Sequence, residues 1–218
     1  MTKRAQRRRP LTKDRVLEAA IEMADQEGLD ALTMRGLGAK LGFEAMSLYK
    51  HVAGKDEILA EILDRVLAEI EIPTGGADWK EAMRRRANSA RTVFTKHSWA
   101  IGLLESGRTM GHNGLRYVDA TLGSLRSAGF SIEDSAHAFW LLDSYVYGHV
   151  IQELSFSQRS AEETTEASEL LRRETVARDY PYLMEMEGHA RTHQYSFDHE
   201  FEFGLGLILE GLDRRSHS

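Results

Sequence analysis

At 218 residues, with 42% hydrophobic and 28% charged side chains, the chain has the composition of a globular protein of one large or two small domains. It contains no cysteine, which excludes disulfides, zinc ribbons and cysteine nucleophiles together and fits a reducing, cytoplasmic compartment. No run approaches 18 apolar residues, and the cationic N-terminus runs into Pro10, Thr12, Lys13, Asp14 and Arg15 without an apolar segment, so neither a membrane span nor a secretion signal is expected. The net charge of −6 hides an asymmetry: residues 1–55 hold 11 Lys or Arg against 7 Asp or Glu, and the rest hold 17 against 27. A basic front on an acidic protein suggests that the front meets a polyanion.

Three prolines and apolar residues spaced by three and four predict helix almost throughout, and no strand. The first helix is expected from Thr12 to Glu27, with Val16, Leu17, Ala20, Ile21 and Ala24 on one face and Gly28 ending it. A second, Thr33 to Leu41, leads through a turn at Gly42 to a third from Ala45 to His51. Gly54, Lys55 and Asp56 open a fourth, apolar through Ile70, that stops before Pro73, Thr74, Gly75 and Gly76, the best domain boundary. Asp78 with Glu81 reads as the cap of a basic helix reaching His97.

Residues 99–107 form a short apolar segment, and Asn113 to Ser127 a helix with Leu115, Val118, Leu122 and Leu125 on one face, stopped at Gly129. Ser131 and Asp134 cap a long helix, Ile132 to Leu154, whose stripe of Ala136, Phe139, Trp140, Val146, Val150 and Leu154 is widened by Leu142, Tyr145 and His149. Residues 155–175 are polar and acidic and predict a mobile, partly helical connection. A helix over Tyr180 to Ala190 and a closing helix over Ser196 to Leu212 follow. In the latter Phe197, Phe201, Leu205, Ile208 and Leu212 form one face, while Phe203 and Leu207 lie outside it, so two faces require burial.

The second and third helices, joined by a glycine turn with Gly38 four residues before Gly42, have the helix-turn-helix pattern. The third exposes hydroxyl, amine, imidazole and apolar groups around an inward Leu48, the types that reach phosphates, base edges and thymine methyls. Residues 12–70 resemble the DNA-binding domain of the TetR family of transcriptional repressors, through Leu41, Gly42, Phe43, then Ser47, Leu48, Tyr49, Lys50, His51, Val52, then Lys55 and Leu59. From Trp79 through the run Phe201 to Leu212 the chain looks like the tetracycline-repressor type of C-terminal domain.

The resemblance implies an all-α fold: a three-helix helix-turn-helix domain with its linking helix (12–72) and a C-terminal helical bundle for effector binding and dimerisation (77–214), preceded by a basic flexible arm (1–15) read from its charge. It implies a ligand-responsive repressor that binds a palindromic double-stranded DNA operator as a homodimer and is released by a small-molecule effector. Thr33, Tyr49 and Lys55 would hold phosphates, while Arg35, Ala45, Met46, Ser47, Lys50 and His51 would face the major groove. Ala45 and Met46 stand where the family's namesake carries Gln and Pro, so the operator should differ. Tyr49 could instead pack beneath the third helix, and residues 1–15 could follow the DNA backbone or serve as a solubilising tail.

Pairing of the long and final helices with their copies, through His149, Val150, Glu153, Phe203, Leu207 and Glu210, is implied by the family and argued independently by two-sided apolarity. Gly148, Gly204 and Gly206 would permit close approach. Trp99, Leu103, Leu104, Met110, Tyr117, Phe139, Trp140, Asp143 and Tyr147 mix aromatic and polar groups as an effector pocket would, although plain core is an equal reading for each. Asp143 within an apolar stripe requires a partner. Leu104 falls where the namesake's pocket histidine would be, so a magnesium–drug site is not expected; no cofactor or metal is implied. The alternatives are a DNA-binding activator or a helical-bundle enzyme. For the latter, His189 with His193 lacks the Glu of a zinc protease, Asp134 with His137 is a single partial match to a di-iron motif, and no glycine-rich phosphate loop follows a strand.

Overall fold

Wherever the described chain takes regular structure it is helical, as so few prolines and the period of the apolar residues require. This computed structural model describes residues 10–73, 78–107, 110–162, 179–192 and 196–216, which hold ten helices and no strand. Among the described residues no helix is long and apolar enough to cross a membrane. The chain forms two compact units, Met1–Pro73 with Thr92–Thr121 and Thr74–Arg91 with Leu122–Ser218. Residues 1–9 of the expected arm lie outside the described residues.

In the first unit, α1 (Lys13–Glu27) begins where the Thr12 hydroxyl accepts from the Arg15 N–H at 3.3 Å and ends at Gly28, whose φ of +81° few other residues tolerate. Helix α2 (Met34–Leu41) is capped by Thr33, which accepts from the Gly36 N–H at 3.0 Å, and stops at the left-handed Gly42, φ +76°. Helix α3 (Ala45–Leu48) is shorter than expected. Tyr49, Lys50 and His51 continue as tight turns, with His51 N–H donating to Leu48 O at 2.8 Å, because a single turn has too few i−4 bonds to propagate. Helix α4 (Lys55–Leu67) buries Ile58, Leu59, Ile62, Leu63, Val66 and Leu67, and with Val16, Leu17, Ala20, Leu32, Leu37 and Leu48 these form the core. Lys13 bridges α1 to Glu57 and Glu61 of α4 at 2.8 and 3.0 Å, and these bonds raise its pKa.

Helix α5 (Trp79–Lys96) and α7 (His112–Ser127) contribute to both units; α6 (Trp99–Glu105) belongs to the first. Asp78 accepts from the Lys80 N–H at 3.0 Å, the start expected of α5. The buried line of α7 is Gly114, Tyr117, Thr121 and Leu125, which shares only Leu125 with the expected face; Val118 and Leu122 are half-buried and Leu115 is 61% exposed. Gly114 turns the helix: a Cβ there would lie 3.1 Å from Leu67, so its smooth side is pressed inward and the large Leu115 rotates out.

In the second unit α8 (Ile132–Glu162) has the expected cap, Asp134 N–H donating to Ser131 Oγ at 3.0 Å, and runs past Leu154 because no Pro or Gly stops it. Helix α9 (Pro181–Thr192) and α10 (Phe197–Ser216) follow. Of the expected connection, 155–162 lie in α8 and 163–175 fall outside the described residues. Ala138, Phe139, Leu142, Val146 and Val150 of α8 and Phe201, Leu205, Leu209 and Leu212 of α10 are buried. At Gly204 a Cβ would overlap the Tyr145 ring and hydroxyl, which explains the close approach there; Gly148 and Gly206 have nothing within 4 Å. Tyr145 donates to Phe201 O at 2.9 Å and stacks on the Phe201 ring.

Candidate nucleic-acid interface

The three reader helices owe their geometry to small residues at the turn. A Cβ at Gly38 would come 2.8 Å from the Phe43 carbonyl oxygen and 3.1 Å from the Ala45 amide nitrogen, so α2 and the start of α3 touch through backbone. Phe43 N–H donates to Gly38 O at 2.9 Å and Gly42 N–H to Ala39 O at 3.1 Å, which closes the turn. Leu48 is completely buried and holds α3 on the unit; by area alone that anchors it with about 2–3 kcal/mol.

With Leu48 inward, the opposite side of α3 and of the turns after it is displayed. Met46 is 74% and Tyr49 47% exposed, Lys50 is exposed, and Ala45, Ser47 and His51 are half-buried. Thr33 and Arg35 are exposed at the start of α2. The Thr33 hydroxyl accepts within the cap, which leaves its proton to donate outward. Lys55 opens α4 half-buried, its Nζ donating to Leu29 O at 3.4 Å, so its reach is anchored at the base of the reader. These groups occupy one short stretch of the fold, and hydroxyl, amine and apolar surface of this kind suits a phosphate backbone and base edges.

The effector candidates divide between the two units. In the first, Trp99, Leu103 and Tyr117 are buried, while Leu104 and Met110 are half-buried. In the second, Phe139 and Asp143 are buried, Tyr147 is half-buried, and Trp140 stands 67% exposed. Asp143 has the partner that its setting requires. One oxygen pairs with Arg86 Nη2, the other accepts from the Tyr147 hydroxyl at 3.1 Å, and the guanidinium lies 5.5 Å over the Phe139 ring. Composition and charge gave no notice of Arg86, but spacing could have: Ala82, Met83, Arg86, Ala87 and Ala90 make one helical stripe, with the cation on its apolar line.

Of the pairing candidates, Phe203, Leu207 and Glu210 present exposed surface. Val150 is fully buried in its own unit. Glu153 receives both Nε and Nη2 of Arg91, at 2.9 and 2.8 Å, and Arg91 also reaches Asp198 at 2.8 Å. His149 sits edge-on to Phe201, and burial, then the neighbouring Arg91 charge, pushes its pKa below the usual histidine value. Asp134 bonds Ser131 and faces Arg215, while His137 pairs with Glu133. Among the described residues no group of three or more His, Asp or Glu is placed to hold a metal, and His193 lies outside them.

The reader occupies the part of the chain, residues 16–62, that matches the family model for bacterial regulatory proteins of the tetR family, and residues 72–216 match that for the tetracyclin repressor-like C-terminal domain. The chain belongs to the TetR family. As a TetR-family chain it is a DNA-binding transcription regulator. It is 33% identical over 214 residues to the HTH-type transcriptional repressor DrrR1 of Streptomyces coeruleorubidus, covering 93% of this chain and 77% of that one. It is 27% identical to the class A tetracycline repressor of transposon 1721 from Escherichia coli, over 92% of this chain and 89% of that protein. Among solved structures, the Streptomyces coelicolor TetR-family protein ActR in complex with actinorhodin superposes with a TM-score of 0.77 at 30% identity, covering 96% of this chain and 100% of that chain. ActR has also been solved with (S)-DNPA, with a TM-score of 0.68.

Sequence reasoning missed the polar ties that hold this TetR-family reader to the segments beside it in the first unit. Asp25 of α1 accepts from Trp99 Nε1 and bonds His97 Nδ1, both at 2.7 Å, and Lys96 donates to Glu69 at 3.0 Å. Asp64 of α4 bonds the first turn of α7. Such partners are 27 to 74 residues apart in the chain, and no local spacing announces them.

Proposed function

We propose that this chain is a repressor that binds a palindromic operator as a homodimer in the cytoplasm and leaves it when a small, largely apolar effector binds. The observation that carries the DNA part is the face displayed by α3 and the turns that follow it: Met46, Ser47, Tyr49 and Lys50 around a fully buried Leu48, with Thr33 and Arg35 at the head of α2. Tyr49, Lys55 and Thr33 position the protein on phosphates, and Arg35, Ala45, Met46, Ser47, Lys50 and His51 read bases. The arm (1–15) adds sequence-independent charge, residues 12–72 read DNA, and residues 77–214 bind effector and dimerise.

Support for pairing comes from apolar surface left uncovered in the second unit. Phe203 and Leu207, one turn apart on α10, are 61% and 56% exposed, and Ile151 of α8 is half uncovered as well. A two-fold pair sets two recognition helices one DNA turn apart, about 34–36 Å. The ligand complexes of ActR support an effector, and in the second unit Phe139, Asp143 and Tyr147 supply an aromatic face beside orienting polar groups. An effector that prefers a state with mismatched readers weakens operator binding by its differential affinity; a factor of 100 needs about 2.7 kcal/mol.

Selecting bound sequences from random duplex DNA tests this reading. The expected product is a palindrome whose half-sites are about one helical turn apart. Recovery of no two-fold site overturns the dimeric reader. Promoter assays with the recovered site separate repression from activation, whose sign depends on where the operator lies.

A further inference from the structure

Helix α7 begins without a cap of its own. The residue before it, Gly111, has no side chain, and the orphan N–H groups of a first turn need acceptors. The acceptor comes from 47 residues upstream, on the helix that leaves the reader. Asp64 of α4 takes the Gly114 N–H on Oδ1 at 3.0 Å and the Asn113 Nδ2 on Oδ2 at 2.9 Å. One carboxylate thus caps a backbone N–H and a side-chain amide of the first turn across a tertiary contact, where the helix dipole also favours a negative charge.

Packing at the same place leaves no slack. A Cβ on Gly111 would overlap the Asp64 carboxylate, and one on Gly114 would lie 3.1 Å from Leu67, one turn further along α4. Two glycines three residues apart therefore seat the start of α7 directly on residues 64 and 67 of α4, with the carboxylate locked between them. Separating α4 from α7 breaks two hydrogen bonds, uncaps a helix and opens a packed contact together. Displacement at either partner is therefore transmitted to the other, because both lie in one compact unit.

We propose that Asp64 is a positioning residue through which the DNA-reading helices and the first turn of α7 report on one another. The proposal rests on the DNA-binding reading given above. It requires that occupation of α3 by operator be felt at the amides of residues 113–116, far along the chain from any DNA contact, and that this response pass through the Asp64 carboxylate.

Hydrogen exchange of the full chain, alone and saturated with an operator recovered by selection from random duplex DNA, tests it in three proteins. In the wild type, operator slows exchange at Gly114 and its neighbours several-fold. In Asp64→Ala these amides exchange faster without DNA and lose the operator response. In Asp64→Asn with Asn113→Asp the donor and acceptor across the contact are exchanged, the Gly114 acceptor is kept, and the response returns. A merely local cap predicts protected amides in the wild type whose exchange ignores operator; that result, or a full response persisting in Asp64→Ala, overturns the proposal. If Asp64→Ala does not fold, the wild-type measurement and the exchanged pair still decide it. Failure of the wild type to bind any duplex overturns the DNA-binding reading and this proposal with it, whereas binding without the response overturns this one alone.

Discussion

Replacing Gly38 by alanine sets two opposed effects against each other. Inside a helix, glycine to alanine ordinarily stabilises by about 1 kcal/mol. At Gly38 the new methyl meets the Phe43 carbonyl oxygen at 2.8 Å and the Ala45 nitrogen and Cα at 3.1 and 3.3 Å. All three are backbone atoms of the turn and of α3, so no side chain can swing aside. Overpacking of this kind costs about 1–3 kcal/mol, and with rigid neighbours the upper part of that range applies, for a net loss of about 1–2 kcal/mol. Gly123→Ala is the internal control: the same change in an exposed helical position with nothing within 4 Å should stabilise by up to about 1 kcal/mol. Urea denaturation reads both. At a slope of about 3 kcal/mol/M the Gly38 variant should lose about 0.5 M in midpoint while the Gly123 variant gains. Because relief at Gly38 requires α3 to move off α2, operator affinity should fall about tenfold or more, as loss of even one good base contact would cause. Gly38→Ala as stable as the wild type, with unchanged operator affinity, would refute the close backbone contact as the determinant of reader geometry.

Three other outcomes are expected. Lys55→Ala should weaken binding to all sequences alike and lower the slope of log affinity against log salt by about 1, measured by fluorescence anisotropy across a salt series. Phe203→Glu with Leu207→Glu should yield a monomer in sedimentation, since two carboxylates would enter the proposed apolar contact, and operator binding should fall with dimerisation. His149 has a folded pKa below the ordinary value of 6.5, because burial and then Arg91 disfavour its charge. The unfolded chain therefore binds this proton more readily, so the contribution of His149 is full above that value and lost as pH falls below it. His149→Phe should flatten the stability profile in that acid window; an unchanged profile would remove His149 as its cause.

Helix positions were legible because they depend on neighbours in the chain. Thr12, Thr33 and Ser131 cap the helices they precede, and Gly28, Gly42 and Gly129 end helices at positive φ, all through bonds spanning a few residues. The inward Leu48, and with it the displayed reading face, follows from the same local periodicity. The partner of Asp143 was foreseeable as a need and not as a residue: a carboxylate on an apolar stripe demands a counter-charge, but only packing selected Arg86.

The sequence by itself determined the all-helical elements, the turn of the reader and the family to which it belongs, because those rest on short-range steric and hydrogen-bonding rules. Tertiary structure alone decided which face of α7 is buried and which distant carboxylates tie the reader to residues 96–114. Leu115 faces solvent because Gly114, the smaller neighbour, is the one that fits against Leu67. Asp64 caps α7 because Gly111 leaves the carboxylate room to do so. Both outcomes depend on the space left between elements, which periodicity along one helix does not encode.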